Sequence, residues 1–182
     1  MRVLFVGNSY TYFHDMPQTF AALRGAEVDS VTKGGYSLAH YASEENEYGR
    51  LFREKLALGW DIVVLQEQSL RPSEAPETFL ASLSLLVPMI RSAGAEPVLY
   101  ETWGRADGNE VLARHGWTHE EMQSRTRSAY VRGASAHGLR VVYAGDRLHE
   151  AYRRGEPVYE TDGSHPSEAG SRVIAEAFAE TL

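Results

Sequence analysis

The run Asp61-Ile62-Val63-Val64-Leu65 constrains this chain more than any other segment. Four apolar residues follow one another without polar alternation, and three of them are β-branched. A strand with water on one face alternates polar and apolar side chains. An unbroken run signals a strand covered on both faces, the situation in parallel sheets. Further strand signals stand at Arg2–Val6, Glu27–Val31, Glu96–Tyr100 and Arg140–Tyr143. Helical spacing marks Met16–Leu23, Tyr48–Leu58, Ala75–Ala93 and Thr118–His137, and two more helices are predicted at Asp146–Arg153 and Ser167–Thr181. Thr118 and Glu121 have the spacing of a capping box. Pro76 and Gly94 bracket the longest apolar helix, and Pro88 within it predicts a kink or a split.

Strands that alternate with helices form a parallel sheet with helices on both faces. About five strands in this order predict an α/β fold of the flavodoxin-like kind, a three-layer α/β/α sandwich. The 182 residues fit one domain spanning 1–182, since a domain takes roughly 100–200 residues. In such a sheet ligands bind beyond the carboxyl ends of the strands. That singles out the loops Gly7–Phe13, Lys33–Leu38, Gln66–Pro72 and Glu101–Gly108, with Glu160–Pro166 placed to join them.

Composition narrows the chemistry. There is no cysteine, which excludes disulfides, thiolate zinc sites, iron–sulfur clusters and a cysteine nucleophile. A formal net charge of −7 argues against nucleic acid or an anionic membrane as the main partner. No apolar run approaches the ~18 residues of a membrane span, and Met1–Val6 turns polar too soon for a signal peptide. A cytoplasmic location and a small-molecule substrate are the expectations.

Four loop segments carry candidate chemistry. Ser9, in Gly7-Asn8-Ser9-Tyr10, follows the first strand beside turn N–H groups that can hold an oxyanion; capping the next helix is the commoner role of such a serine. In Asp162-Gly163-Ser164-His165-Pro166 the carboxylate can fix the tautomer of His165 and stabilise its imidazolium, or the segment is a plain turn before a helix. Gln66-Glu67-Gln68-Ser69 ends the central strand, where Gln68 or Gln66 can aim an amide N–H at an oxyanion or a substrate, or the segment is a hydrophilic loop. Lys33-Gly34-Gly35-Tyr36-Ser37 offers the Gly35 N–H close to a substrate. Singly these signals are weak. Together they place nucleophile, base, orienter and oxyanion donors at one sheet end, the set acyl transfer needs. Tyr10, Tyr36 and Trp103 suit an aromatic platform for a polar ester, with loop packing the competing role.

These blocks resemble the SGNH hydrolase superfamily, the GDSL-type esterases and lipases. Its first block matches Gly7-Asn8-Ser9-Tyr10, its second a glycine corresponding to Gly35, with Gly34 the neighbouring option, and its last, Asp-x-x-His, matches Asp162 and His165. The resemblance covers nearly the whole chain. It implies a flavodoxin-like fold and ester hydrolysis by Ser9, His165 and Asp162, with Ser9, Gly35 and Gln68 forming the oxyanion hole. Two positions depart from the pattern: Asn8 stands where Asp is usual, and Gln66-Glu67-Gln68-Ser69 replaces Gly-x-Asn-Asp. A short-acyl, acetyl-type ester on a carbohydrate or another polar molecule is the expected substrate; a non-catalytic carbohydrate-binding module is the alternative. No cofactor and no metal are expected. A flavin carrier would want smaller residues after the first strand than Tyr10, Tyr12 and Phe13, and His115 and His119 read as exposed loop histidines because Gly116 disfavours a helix there. The α/β-hydrolase Gly-x-Ser-x-Gly elbow is absent.

Overall fold

In the computed structural model, which describes residues 1–182, the first strand β1 (Arg2–Gly7) runs into a one-turn helix α1 (Ser9–Tyr12) and a 3₁₀ turn (Phe13–Asp15) before α2 (Met16–Arg24). Then come β2 (Glu27–Thr32), α3 (Leu38–Ala42), α4 (Glu47–Leu56), β3 (Ile62–Leu65), α5 (Arg71–Glu74) and α6 (Pro76–Ser92). The chain continues through β4 (Glu96–Tyr100), α7 (Glu110–His115), α8 (His119–His137), β5 (Arg140–Val142), α9 (Ala144–Arg153) and α10 (Glu168–Thr181). The five strands are ordered β2-β1-β3-β4-β5, and every pair is parallel. This is the flavodoxin-like three-layer sandwich. The strand order reverses between β1 and β3, where such sheets open a crevice for ligands.

Two cores follow from the period of two along each strand. Leu4, Val6, Val63, Leu65 and Leu99 face one way, onto Leu38, Phe52, Phe79, Leu83 and Tyr130 of α3, α4, α6 and α8. Val3, Phe5, Ile62, Val64 and Val98 face the other way, onto Met16, Phe20, Leu148, Ile174 and Phe178 of α2, α9 and α10. β3 is buried along its whole length, which is why its sequence shows no alternation. No helix is long and apolar enough to cross a membrane.

Helix ends mostly obey the sequence. Thr118 Oγ1 accepts from the Glu121 N–H at 3.1 Å, and a Glu121 carboxylate oxygen accepts from the Thr118 N–H at 2.7 Å, closing the capping box. Two expectations are corrected. The split at Pro88 does not occur: helix α6 runs unbroken through it. The proline sits on the solvent face, so water can serve the carbonyl of Ser84 left without its N–H donor. Gly116 does not forbid a helix around His115. It takes a left-handed conformation (φ 66°) just after α7 and ends it, the usual job of a glycine at that position.

Candidate active site

Gly7 closes β1 so tightly that a Cβ there would lie 2.4 Å from Gln66 Oε1 and 2.6 Å from Thr11 Oγ1. That contact locks the β1 turn to the β3 exit. Gln66 is fully buried, and its Oε1 accepts from the Asn8 N–H (2.8 Å) and the Thr11 hydroxyl (2.9 Å). Its side-chain N–H donates to the Glu67 carbonyl. Gln66 is therefore a structural link and not a substrate contact: it is fully buried, with its oxygen and one N–H bonded inside the protein, and presents no atom to a ligand. Asn8 serves the same frame. Its Oδ1 accepts from the Tyr10 N–H (3.1 Å) to cap α1, and its Nδ2 donates to the Tyr36 carbonyl (2.9 Å). An aspartate could make the first bond only, which gives the unusual Asn8 a physical reason.

Ser9 begins α1 with its side chain facing the far end of the chain. Ser9 Oγ lies 2.8 Å from His165 Nε2, across 156 positions of sequence. His165 Nδ1 lies 2.5 Å from Asp162 Oδ2. Gly163, at φ 62°, lets the intervening turn curl so that Asp162 Oδ1 also accepts from the N–H groups of Ser164 (2.8 Å) and His165 (2.9 Å). Partial burial works to raise the Asp162 carboxyl, but these hydrogen bonds outweigh it and hold it below the ordinary carboxylate value. A bond from Asn109 Nδ2 to the Asp162 carbonyl (2.8 Å) fixes the same turn.

The other face of His165 is covered by Phe13, stacked at 4.3 Å between ring centroids and 16° between planes. The next two residues, His14 and Asp15, both take left-handed φ values of 49° and 50°, uncommon for residues with a side chain. His14 Nε2 meets Glu160 Oε1 at 2.7 Å, and this pair ties the bent segment to the loop that carries His165. No sequence signal pointed to Phe13, because its approach depends on that backbone bend.

Ser9, Gly35, Gln68, Asp162 and His165 line one cavity of about 560 Å³. Gly35 has φ 75°, a conformation glycine adopts without penalty. Neither the Ser9 N–H nor the Gly35 N–H has an acceptor within the protein. Gln68 Oε1 accepts from the N–H groups of Leu70 (2.9 Å) and Arg71 (3.2 Å) at the start of α5. The Gln68 amide nitrogen is thereby left as a donor at the cavity, with only a 3.4 Å contact to Ser69 Oγ. Behind it Glu67 is buried and accepts from the Leu38 (3.1 Å) and Gln68 (2.6 Å) N–H groups, joining the loops after β2 and β3. Burial pushes its carboxyl up to about 7 against those two hydrogen bonds.

The aromatic platform is not assembled. Trp103 is fully buried, donates Nε1–H to the Ser164 carbonyl (3.0 Å) and stacks on Tyr10 at 4.3 Å. Tyr10 borders the cavity, but its hydroxyl is held by Ser164 Oγ at 2.7 Å. Burial raises its phenol pKa, while nearby Arg105 works to lower it. Tyr36 stacks on His40 (4.3 Å) and packs against the core. These rings fill the space under the loops, where apolar area is better spent on packing than on a wet pocket. His119 is also misplaced by the sequence reading: it is fully buried in α8, with Nδ1 2.8 Å from the Arg105 carbonyl and Nε2 2.7 Å from His149 Nδ1. No group of three or more histidine and acidic residues is arranged to hold a metal.

A hydroxyl, an imidazole and a carboxylate in hydrogen-bonded series can carry a proton off the hydroxyl as it attacks, and free N–H groups beside it can receive negative charge. No family model matches the chain, and no curated protein does. Solved structures do match. A protein assigned to the SGNH hydrolases from Slackia heliotrinireducens superposes with a TM-score of 0.91 at 36% identity, over 100% of this chain and 98% of that one. A DUF4886 family protein from Bacteroides uniformis gives 0.80 at 18% identity, over 100% and 82%. An acetylxylan esterase from Geobacillus stearothermophilus gives 0.71 at 16% identity, over 99% and 93%; these last two share the fold. On 36% identity along the full length of the first of these structures, the chain belongs to the SGNH hydrolase superfamily.

Proposed function

We propose that this protein is a serine esterase that cleaves short-acyl, acetyl-type esters of a polar alcohol, with carbohydrate the leading candidate, through an acyl-enzyme. The observation that carries this reading is the series Ser9 Oγ, His165 Nε2 and Nδ1, Asp162 Oδ2, at 2.8 and 2.5 Å. Ser9 Oγ attacks the ester carbonyl while His165 Nε2 takes its proton. The proton then passes to the departing alkoxide, leaving acyl-Ser9 and free alcohol. Water attacks next, giving its proton to Nε2, and collapse returns it to Ser9 Oγ with release of the acid. Asp162 holds Nδ1–H, so that Nε2 is the free acceptor facing the serine.

The tetrahedral oxygen is received by the two N–H groups of Ser9 and Gly35 that have no protein acceptor, with Gln68 Nε2 as third donor. Tyr10 is the one hydrophobic residue among the thirteen that line the cavity. Such walls suit a polar substrate and give no channel to a long acyl chain. Hydrolysis of a panel of nitrophenyl and sugar acetates by the wild type and by Ser9→Ala, with fluorophosphonate labelling, tests the reading. Hydrolysis and labelling are expected in the wild type and are lost in the variant. Turnover that persists in Ser9→Ala, or rates that climb steadily with acyl length, would overturn it. A wild type that neither labels nor turns over would be the non-catalytic binding module.

A further inference from the structure

The cavity at Ser9 holds one permanent cation, Arg105, in a chain of net charge −7. The two carboxylates bordering the same cavity do not neutralise it. Asp162 is engaged with His165, and Glu110 stands exposed beside Arg114 at 3.7 Å. Arg127, Arg140 and Arg153 each meet a carboxylate, whereas Arg105 meets none. One nitrogen, Nη2, reaches Ser69 Oγ at 3.3 Å, and Nε is buried with no partner at all. A buried donor of a charged group left unpaired is costly, and native structures rarely tolerate one without use.

The residue is also held in place. Its carbonyl accepts from the His119 ring (2.8 Å), the preceding Gly104 N–H is gripped by Gln123 (2.8 Å), and the following Ala106 N–H donates to the Gly163 carbonyl (2.9 Å). The guanidinium is therefore carried on a segment braced by α8 on one side and by the Asp162–His165 turn on the other. Ser69 Oγ, its one partner, also accepts the one hydrogen bond that the Gln68 amide nitrogen makes (3.4 Å), so the charge lies next to the place where the ester carbonyl is received. A planar fork of donors with no counter-charge fits a carboxylate, which it can grip by two parallel hydrogen bonds.

We propose that Arg105 is a specificity-determining residue that selects esters bearing a carboxylate, in either the acyl or the alcohol part. The inference rests on the esterase reading and names its substrate class. In an acidic protein an anionic substrate is repelled at long range, and an unpaired guanidinium inside the cavity offsets that repulsion where it matters.

Two matched pairs of esters test it: 4-nitrophenyl hydrogen succinate against 4-nitrophenyl butyrate for the acyl side, and 3-carboxyphenyl acetate against phenyl acetate for the alcohol side. The readout is the ratio of kcat/KM within each pair. The wild type is expected to favour the carboxylate in one pair, which identifies the side. Arg105→Gln should cut that ratio at least tenfold, and Arg105→Lys should fall between the two. A ratio unchanged by Arg105→Gln in a variant with native melting behaviour, or a wild-type preference for the neutral ester in both pairs, would overturn the proposal. If the wild type hydrolyses none of the four esters, the esterase reading fails and Arg105 is judged by binding. Succinate and 3-hydroxybenzoate are then titrated calorimetrically into the wild type and Arg105→Gln. Binding that weakens tenfold or more in the variant supports the carboxylate site, and no binding to the wild type rejects it.

Discussion

Replacing Asp162 by asparagine probes the hydrogen-bonded series at its one interchangeable atom. In the wild type Oδ1 accepts from two backbone N–H groups at 2.8 and 2.9 Å, and Oδ2 faces His165 Nδ1 at 2.5 Å. The asparagine oxygen can keep the backbone bonds, which turns its NH₂ toward Nδ1. That ring nitrogen must then accept, so the ring proton moves to Nε2, the atom that should take the proton of Ser9. Losing the charged hydrogen bond that fixes the tautomer costs about 2 kcal/mol, or ~30-fold. In the proposed mechanism the carboxylate also stabilises the imidazolium formed during attack. Such a pair ~4 Å apart is worth about 4 kcal/mol at an effective dielectric of 20 but about 1 kcal/mol in water. The Asp162 side chain is 48% exposed, so a screened value of about 2 kcal/mol applies, another ~30-fold. The product is a fall of about 10³ in kcat/KM, one decade less than the ~10⁴ typical of a buried triad carboxylate. The assay is 4-nitrophenyl acetate hydrolysis together with the rate of fluorophosphonate labelling, with thermal melting to show that the fold is intact. A loss below tenfold in both measurements, in a protein that melts like the wild type, would refute the role assigned to this carboxylate.

Gln68→Ala removes the proposed third oxyanion donor and is expected to lower kcat by about 100-fold with little change in KM; steady-state kinetics showing an unchanged kcat would remove Gln68 from the proposed oxyanion hole. Gly7→Ala forces a methyl group to within 2.4 Å of the Gln66 side-chain oxygen Oε1, and overpacking of this kind costs about 1–3 kcal/mol or more, so the urea midpoint should drop and labelling of Ser9 should slow. Glu101 is buried, and that burial, with Asp146 adding, pushes its carboxyl up to about 8. The unfolded chain releases this proton near the ordinary carboxylate value while the fold retains it, so stability declines as pH rises from about 4.5 toward about 8. Glu101→Gln should flatten that decline, as read from melting temperatures at pH 5 and pH 8; an undiminished difference would show that another group is responsible.

Phe13 and Arg105 mark the border of what a linear reading can reach. A phenylalanine immediately after a short helix carries no sign that it will cover the imidazole, because the approach depends on two consecutive left-handed residues, His14 and Asp15, neither of them glycine. Arg105 reads in sequence as one loop cation among many. Its lack of a counter-ion is a property of its surroundings, visible only when those are assembled. Trp103, Tyr10 and Gln66 erred in the opposite direction. They lie at the ligand-binding end, as expected, yet the Trp103 and Gln66 side chains turn down into the protein and the Tyr10 hydroxyl is held by Ser164, because a segment leaving a buried strand must first seal the end of the core beneath it. His119 departs from its reading as an exposed loop histidine for the same reason: its burial against His149 depends on how α8 and α9 pack.

The strands, the cap of α8 and the motif residues could be read from the chain alone, because each depends on neighbours a few positions away: a period of two, a capping spacing, a glycine that lets Asp162 reach His165. The union of Ser9 with His165 depends on the whole sheet. Parallel strands in the order β2-β1-β3-β4-β5 bring the loop after β1 and the turn before α10 to the same edge. Which side chains at that edge face the cavity, and which seal the core, was decided by packing between loops far apart in sequence, and local pattern holds no record of that.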